Sequence, residues 1–183
     1  MSAPIREADW VEAVLHFWFA ELAPAAWFRR SAATDATIRA RFLALHETLS
    51  CDVPACTSPR QCLATVIVLD QFSRNLFRGD ARAYAVDADA VRLARAAIAA
   101  GFDAALDTAQ REFLYMPFMH AEDRTAQDEG VALFERLGTR NARYARHHRA
   151  LIKRFGRFPH RNAMLGREST PEEAAYLGTA RPF

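Results

Sequence analysis

A chain of 183 residues has room for one ordinary domain, and it buries roughly 70% of the surface it exposes when unfolded, enough to fold without a staple. Its composition, 51% hydrophobic and 25% charged, excludes a disordered tail, a collagen-like repeat and a membrane-embedded bundle. The net charge of +2 is small for a protein that tracks a polyphosphate backbone, and no apolar run approaches the ~18 residues of a spanning helix.

The 37 alanines against 7 glycines favour helix, since Ala is the best helix former and Gly among the worst. In chain order, the first helix is predicted over about 7–21, with Trp10, Val14, Phe17 and Trp18 at helical spacing. Thr34-Asp35 opens a second helix carrying Ile38, Phe42 and Leu45 on one face. Ser58-Pro59, an N-cap followed by Pro at the first helical position, opens a third that runs to about Phe77. A fourth covers about Tyr84 to Ala100, closed by Gly101. A fifth covers about 107–116 and must kink or stop at Pro117. The sixth spans about 123–137, ending at Gly138, and the seventh runs from Thr139 to Gly156. Thr170-Pro-Glu-Glu173 is a capping box for a short last helix. Strand signals are nearly absent. Residues 1–183 therefore read as a single all-α domain of about eight helices packed as antiparallel pairs. A 34-residue repeat would mark tetratricopeptide units; only LGTRNARYA at 137–145 faintly matches.

Cys51, Cys56 and Cys62 are odd in number and lack zinc-ligand spacing, which predicts reduced thiols and a cytoplasmic protein. The opening MSAPIREADW lacks the basic-then-apolar design of a signal segment. Residues 103–135 hold eight acids, and residues 136–167 hold ten bases and no acid. On the seventh helix Tyr144, Leu151, Ile152 and Phe155 fall on one side, and Arg140, Arg143, Arg146, Arg149, Lys153 and Arg154 cover the other. Lacking stacking aromatics, that basic face is expected to pair with the acidic sixth helix, with no nucleic acid and no membrane as partner.

The third helix carries the most information. It is apolar all round through ATVIVL (64–69) and should be central; then Asp70, Gln71, Arg74, Asn75 and Arg78 converge on one side. An Asp70–Arg74 pair accounts for a half-buried carboxylate, but not for the three other polar side chains. FLYMPFMHAED adds His120, Glu122 and Asp123, and KRFGRFPHRNAMLGRESTPEE adds Arg157, His160, Arg161, Asn162 and Arg167. Arg, His and Asn interleaved with aromatics are an anion-recognition vocabulary: planar forks for carboxylate or phosphate, and a titratable imidazole.

LDQFSRNLFRGDARAYAVDADA, FLYMPFMHAED, RFGRFPHRNAMLGRESTPEE and the N-terminal VLHFWF…WF…IRARF together resemble the bacterial family called domain of unknown function 924, across nearly the whole chain. The resemblance implies a helical, tetratricopeptide-like fold and no established activity, substrate, cofactor or catalytic residue.

The leading expectation is a polar pocket for a small anionic ligand, built from Asp70, Gln71, Arg74, Asn75, Arg78, His120, Arg157, His160, Arg161 and Asn162. If the pocket is catalytic, His120 or His160 is the acid–base group. The alternative is a tetratricopeptide-like interaction module holding a peptide or its C-terminal carboxylate. A metal site on His120, Glu122, Asp123 and His160 is disfavoured, because no H-E-x-x-H or E-x-x-H motif is present. A ligand-free network clamping the C-terminal segment onto the third helix competes with all of these.

Overall fold

The computed structural model describes residues 7–179; the signal-segment reading of the first residues lies largely outside them. Among the described residues the protein is all-α, with no strands. Helix α1 (Glu7–His16) runs on into a π turn at Phe17–Glu21, closed by a Leu22 N–H to Phe17 carbonyl bond of 3.1 Å. Helix α2 spans Ala32–Cys51. Helix α3 begins at Pro59–Val66, continues through a π turn at Ile67–Phe72 and finishes at Ser73–Leu76. Then come α4 (Asp87–Ala99), α5 (Thr108–His120), α6 (Arg124–Leu137), α7 (Asn141–Phe155) and α8 (Pro171–Thr179). No described helix is long and apolar enough to cross a membrane.

Helix α3 is the axis of the fold. Every residue from Gln61 to Ser73 is buried, and the helix touches α1, α2, α4 and α5. An element surrounded on all sides must be apolar on all sides, which explains the ATVIVL run. Trp18 meets Phe72 and Phe113 at ring distances of 5.7 and 5.3 Å, tying α1 to α3 and α5. Helices α5, α6 and α7 pack in succession, because links as short as 121–123 and 138–140 leave each helix little choice but to fold back on the previous one. Gly138 turns the second link at φ 72°, a left-handed conformation that an L side chain resists. Leu151, Ile152 and Phe158 form a smaller apolar cluster under the C-terminal segment.

Four expectations need correction. Helix α5 does not stop at Pro117 but passes through it to His120. Pro117 removes one backbone donor near the helix end, a cost of about 3 kcal/mol, and burial of every residue from Phe113 to Met119 offsets it. Helix α2 starts three residues early: Ser31 Oγ accepts the Thr34 N–H, leaving Asp35 inside the first turn. Cys56 and Cys62 are joined in a disulfide, their Cα atoms 5.2 Å apart across the turn at Ser58-Pro59, and Cys51 alone is free. The odd count misled because one cysteine stands apart from the turn that brings the other two together. Finally, Tyr144 is exposed and does not share the buried side of α7 with Leu151 and Ile152.

The remaining helix signals agree with the structure. The last helix has the reciprocal bonds of its capping box, Glu173 N–H to Thr170 Oγ at 3.2 Å and Thr170 N–H to Glu173 Oε2 at 2.8 Å. On the basic face, Arg146, Arg149 and Arg154 pair with Glu135, Asp128 and Glu172.

Candidate functional site

The C-terminal half of α3 leaves the core pointing its polar residues at a half-open cleft of about 520 Å³. The π turn at Ile67–Phe72 lies where the helix changes from apolar to polar, and such turns recur where a helix must aim side chains at a site. Gln71, Arg74 and Asn75 line the cleft from α3, Arg78 from the turn that follows it, His120 from the end of α5, and His160 and Arg161 from the turn after α7. Seven of the ten residues singled out from sequence thus meet at one opening.

Asp70 lies directly beneath, fully buried. Its carboxylate accepts from Nδ1 of His120 at 2.8 and 2.9 Å and from Gln71 Nε2 at 2.5 Å, and Arg74 Nη1 stands 3.3 Å away. Burial alone would push this carboxyl up; Arg74 and His120 outweigh burial and hold it down to about 2. Arg74 also reaches Asp87 Oδ2 at 3.0 Å, and Arg161 meets the same oxygen at 3.2 Å. Burial raises the Asp87 carboxyl in spite of both guanidiniums. Arg161 further donates to the His120 carbonyl at 2.9 Å and lies over the rings of Tyr84 and Phe158, 4.4 and 4.6 Å from their centroids. At the rim, Asn75 and Arg78 converge on Asp35, with bonds of 2.7 to 3.0 Å.

The other two predicted residues do different work. Arg157 grips Glu173 with Nε and Nη2 at 2.7 and 2.8 Å and donates to the Glu168 carbonyl, while Asn162 donates to Ser169 and Glu173. Arg167 holds Glu122 through two bonds of 2.6 and 2.9 Å, and Glu122 also accepts the Phe158 N–H at 2.7 Å. These contacts clamp residues 157–173 and fix Arg161 in place. The clamp and the cleft are neighbouring parts of one polar region. Asp123 caps α6 by accepting the Ala126 N–H at 2.7 Å. Among the described residues no group of three or more His, Cys, Asp or Glu side chains is placed to hold a metal ion.

The cleft also has walls that sequence reasoning did not assign. Trp27, Phe28, Arg29 and Arg30 form one side, with Trp27 Nε1 bonded to the Trp18 carbonyl at 2.7 Å and Phe28 stacked on Phe113 while 54% exposed. Tyr84, His148 and Met164 complete it. Burial and the neighbouring His120 lower His148 to about 3, and burial and Arg161 lower His160 to about 4, so both are neutral at pH 7. The string Trp27-Phe28-Arg29-Arg30, two aromatics and two guanidiniums after Pro24, was a readable signal. His148 gave none, lying within a run of basic helix surface.

Five guanidiniums (Arg29, Arg30, Arg74, Arg78 and Arg161) surround the cleft, and three carboxylates (Asp35, Asp70 and Asp87) oppose them. Arg29 and Arg30 make no ion pair with any described residue. The molecule is therefore an all-helical protein with a positively charged, aromatic-edged cleft at the end of its central helix. Residues 14–181 match the family described as bacterial protein of unknown function, DUF924, and the chain belongs to that family. It is similar to a solved protein of unknown function from Agrobacterium tumefaciens, ATU0120, with 39% identity, a TM-score of 0.90, and coverage of 94% of this chain and 99% of that one. No curated protein matches it.

Proposed function

We propose that the protein binds a small dianion, a phosphate or carboxylate compound, in this cleft. The observation that carries the reading is the excess of guanidinium over carboxylate at one opening, with Arg29 and Arg30 in no ion pair among the described residues, although the charge of Arg30 reaches Asp35. Arg29 and Arg30 are exposed and free to turn toward a dianion, which guanidinium forks hold through charge-assisted bonds. The volume, about 520 Å³, suits a small metabolite.

Thermal-shift and calorimetric titration with inorganic phosphate, di- and tricarboxylates and short peptides tests this. A ligand at 100 times its Kd adds about 2.7 kcal/mol, which raises Tm by roughly 5–10 °C in a domain of this size. Arg29→Ala and Arg30→Ala, at exposed positions, should each weaken binding about tenfold without altering the circular dichroism spectrum, in line with loss of one charged hydrogen bond. A flat response to every small anion refutes the reading. Binding confined to peptides with a free C-terminal carboxylate, lost on amidation, would support an interaction module instead.

A further inference from the structure

We propose that the cleft is catalytic and hydrolyses phosphomonoesters, with His120 as the general base that activates water. The inference rests on the anion-site reading and adds a reaction to it.

The argument begins with Asp70. Gln71 donates to this buried carboxylate, and Arg74 supplies a counter-charge 3.3 Å away while its own hydrogen bond goes to the Asp70 backbone carbonyl. His120 also turns Nδ1 onto it at 2.8 and 2.9 Å. An ionised carboxylate only accepts, so Nδ1 donates to it and Nε2 is the ring nitrogen turned away from Asp70. Nε2 has no hydrogen-bond partner among the described residues, and the ring lines the cleft. A carboxylate that fixes tautomer and orientation at one nitrogen while the other faces a ligand site is the arrangement of a general base.

Arg161 is bonded to the carbonyl of His120 itself, which sets a guanidinium and the imidazole in fixed relation. The base therefore lies beside a group able to hold the charge that develops on a phosphoryl oxygen. The residues lining the cleft include no Ser, Thr or Cys, and Ser73 is buried with its hydroxyl bonded to the Leu69 carbonyl and His46. Water is taken as the nucleophile, since His120 is oriented by Asp70 to accept its proton. A phosphomonoester is chosen over a carboxylate because it carries close to two negative charges at pH 7, matching the guanidinium excess, and presents three oxygens to several forks at once.

In the step, the oxygen of water forms a bond to phosphorus while the bond from phosphorus to the ester oxygen breaks. His120 Nε2 takes one proton from the water and later releases it to solvent. The ester oxygen leaves with the bonding pair as an alkoxide and is protonated by solvent. The products are an alcohol and inorganic phosphate, and nothing is oxidised or reduced.

The test uses the full chain with p-nitrophenyl phosphate and a panel of alkyl phosphomonoesters, reading released phosphate, beside calorimetric titration with inorganic phosphate. Turnover is expected in the wild type. His120→Gln should keep the helical spectrum and phosphate affinity within about threefold, and lose at least about 100-fold in kcat, the usual worth of a positioned base. Phosphate binding without hydrolysis of any ester overturns this inference and leaves the anion site standing; absence of phosphate binding overturns this inference, and a flat response to every small anion overturns both. Turnover unchanged in His120→Gln also overturns it. If that variant does not fold, loss of activity must instead follow diethyl pyrocarbonate modification of His120 and be prevented by phosphate, and activity surviving that modification counts against the proposal.

Discussion

Gly130, in the middle of α6, is expected to resist the substitution that most helical glycines welcome. A Cβ built there falls 2.9 Å from Cβ of Phe118 and 3.4 Å from its carbonyl carbon. Two carbons rest comfortably at about 3.5–4.0 Å, so Gly130→Ala must push α5 and α6 apart by several tenths of an ångström or more. The obstacle is a Cβ on a buried helix, which cannot rotate away as the end of a long side chain would. Overpacking of this kind costs about 1–3 kcal/mol, against a gain of about 1 kcal/mol from replacing Gly by Ala in a helix. The expected net is a loss of about 1 kcal/mol, or roughly 2–4 °C in Tm for a domain of this size. Urea denaturation checks it, with a lower midpoint at unchanged slope. Phe118 lies two residues before His120, so the same variant should also weaken the His120–Asp70 contact. Gly178, with nothing within 4 Å of its built Cβ, supplies the control and should tolerate Ala. A Gly130→Ala protein more stable than the parent would refute the close approach of α5 and α6.

Stability should fall with pH in two stages. His148 and His160 have folded values depressed from 6.5 to about 3 and about 4, so below pH 6.5 the unfolded chain takes up protons that the folded one refuses. Each then adds a slope of at most about 1.4 kcal/mol per pH unit. Asp70, depressed from 3.8 to about 2, contributes stability that is whole above pH 3.8 and is lost as pH falls through about 2. Because His148 packs beside His120, His147, Arg161 and Phe158, His148→Gln should flatten the pH 4–6 part of a denaturation series. Arg161→Ala should cost about 3 kcal/mol, since it takes from the buried Asp87 one of its two cations, and a change below 1 kcal/mol by urea titration would contradict that. Thiol titration of the oxidised unfolded chain should find one group, Cys51, and three after reduction; the short loop closed by Cys56–Cys62 predicts about 2 kcal/mol lost on reduction.

Most of the helices were legible because their signals are local. Ser58-Pro59, Gly101, Gly138 and the Thr170–Glu173 box act within a turn of themselves, and the structure agrees with each. Pro117 misled because its local penalty competes with burial supplied by distant elements, which sequence does not display. Seven polar residues were traced to the cleft through three segments rich in Arg, His and Asn. Arg157 and Asn162 carried the same vocabulary, but their acceptors lie on the segment around Glu173 that folds back on them. The string Trp27-Phe28-Arg29-Arg30 signals two aromatics and two guanidiniums, but a loop has no periodicity to say which way they face, and His148 is hidden because a basic helix face looks uniform until a neighbour covers part of it.

The π turn in α3 acts as a phase shifter. Each residue advances a helix by 100°, so one additional residue between 67 and 72 rotates everything downstream relative to everything upstream. Residues 59–66 can then be keyed to α1 and α4 while Asp70 to Arg78 are keyed independently to the cleft. Shortening this stretch by one residue would leave the composition nearly unchanged and the helix more regular. It would also turn the guanidiniums of Arg74 and Arg78 about a quarter-turn away from Asp87 and Asp35, separating the capacity to fold from the assembly of the cleft.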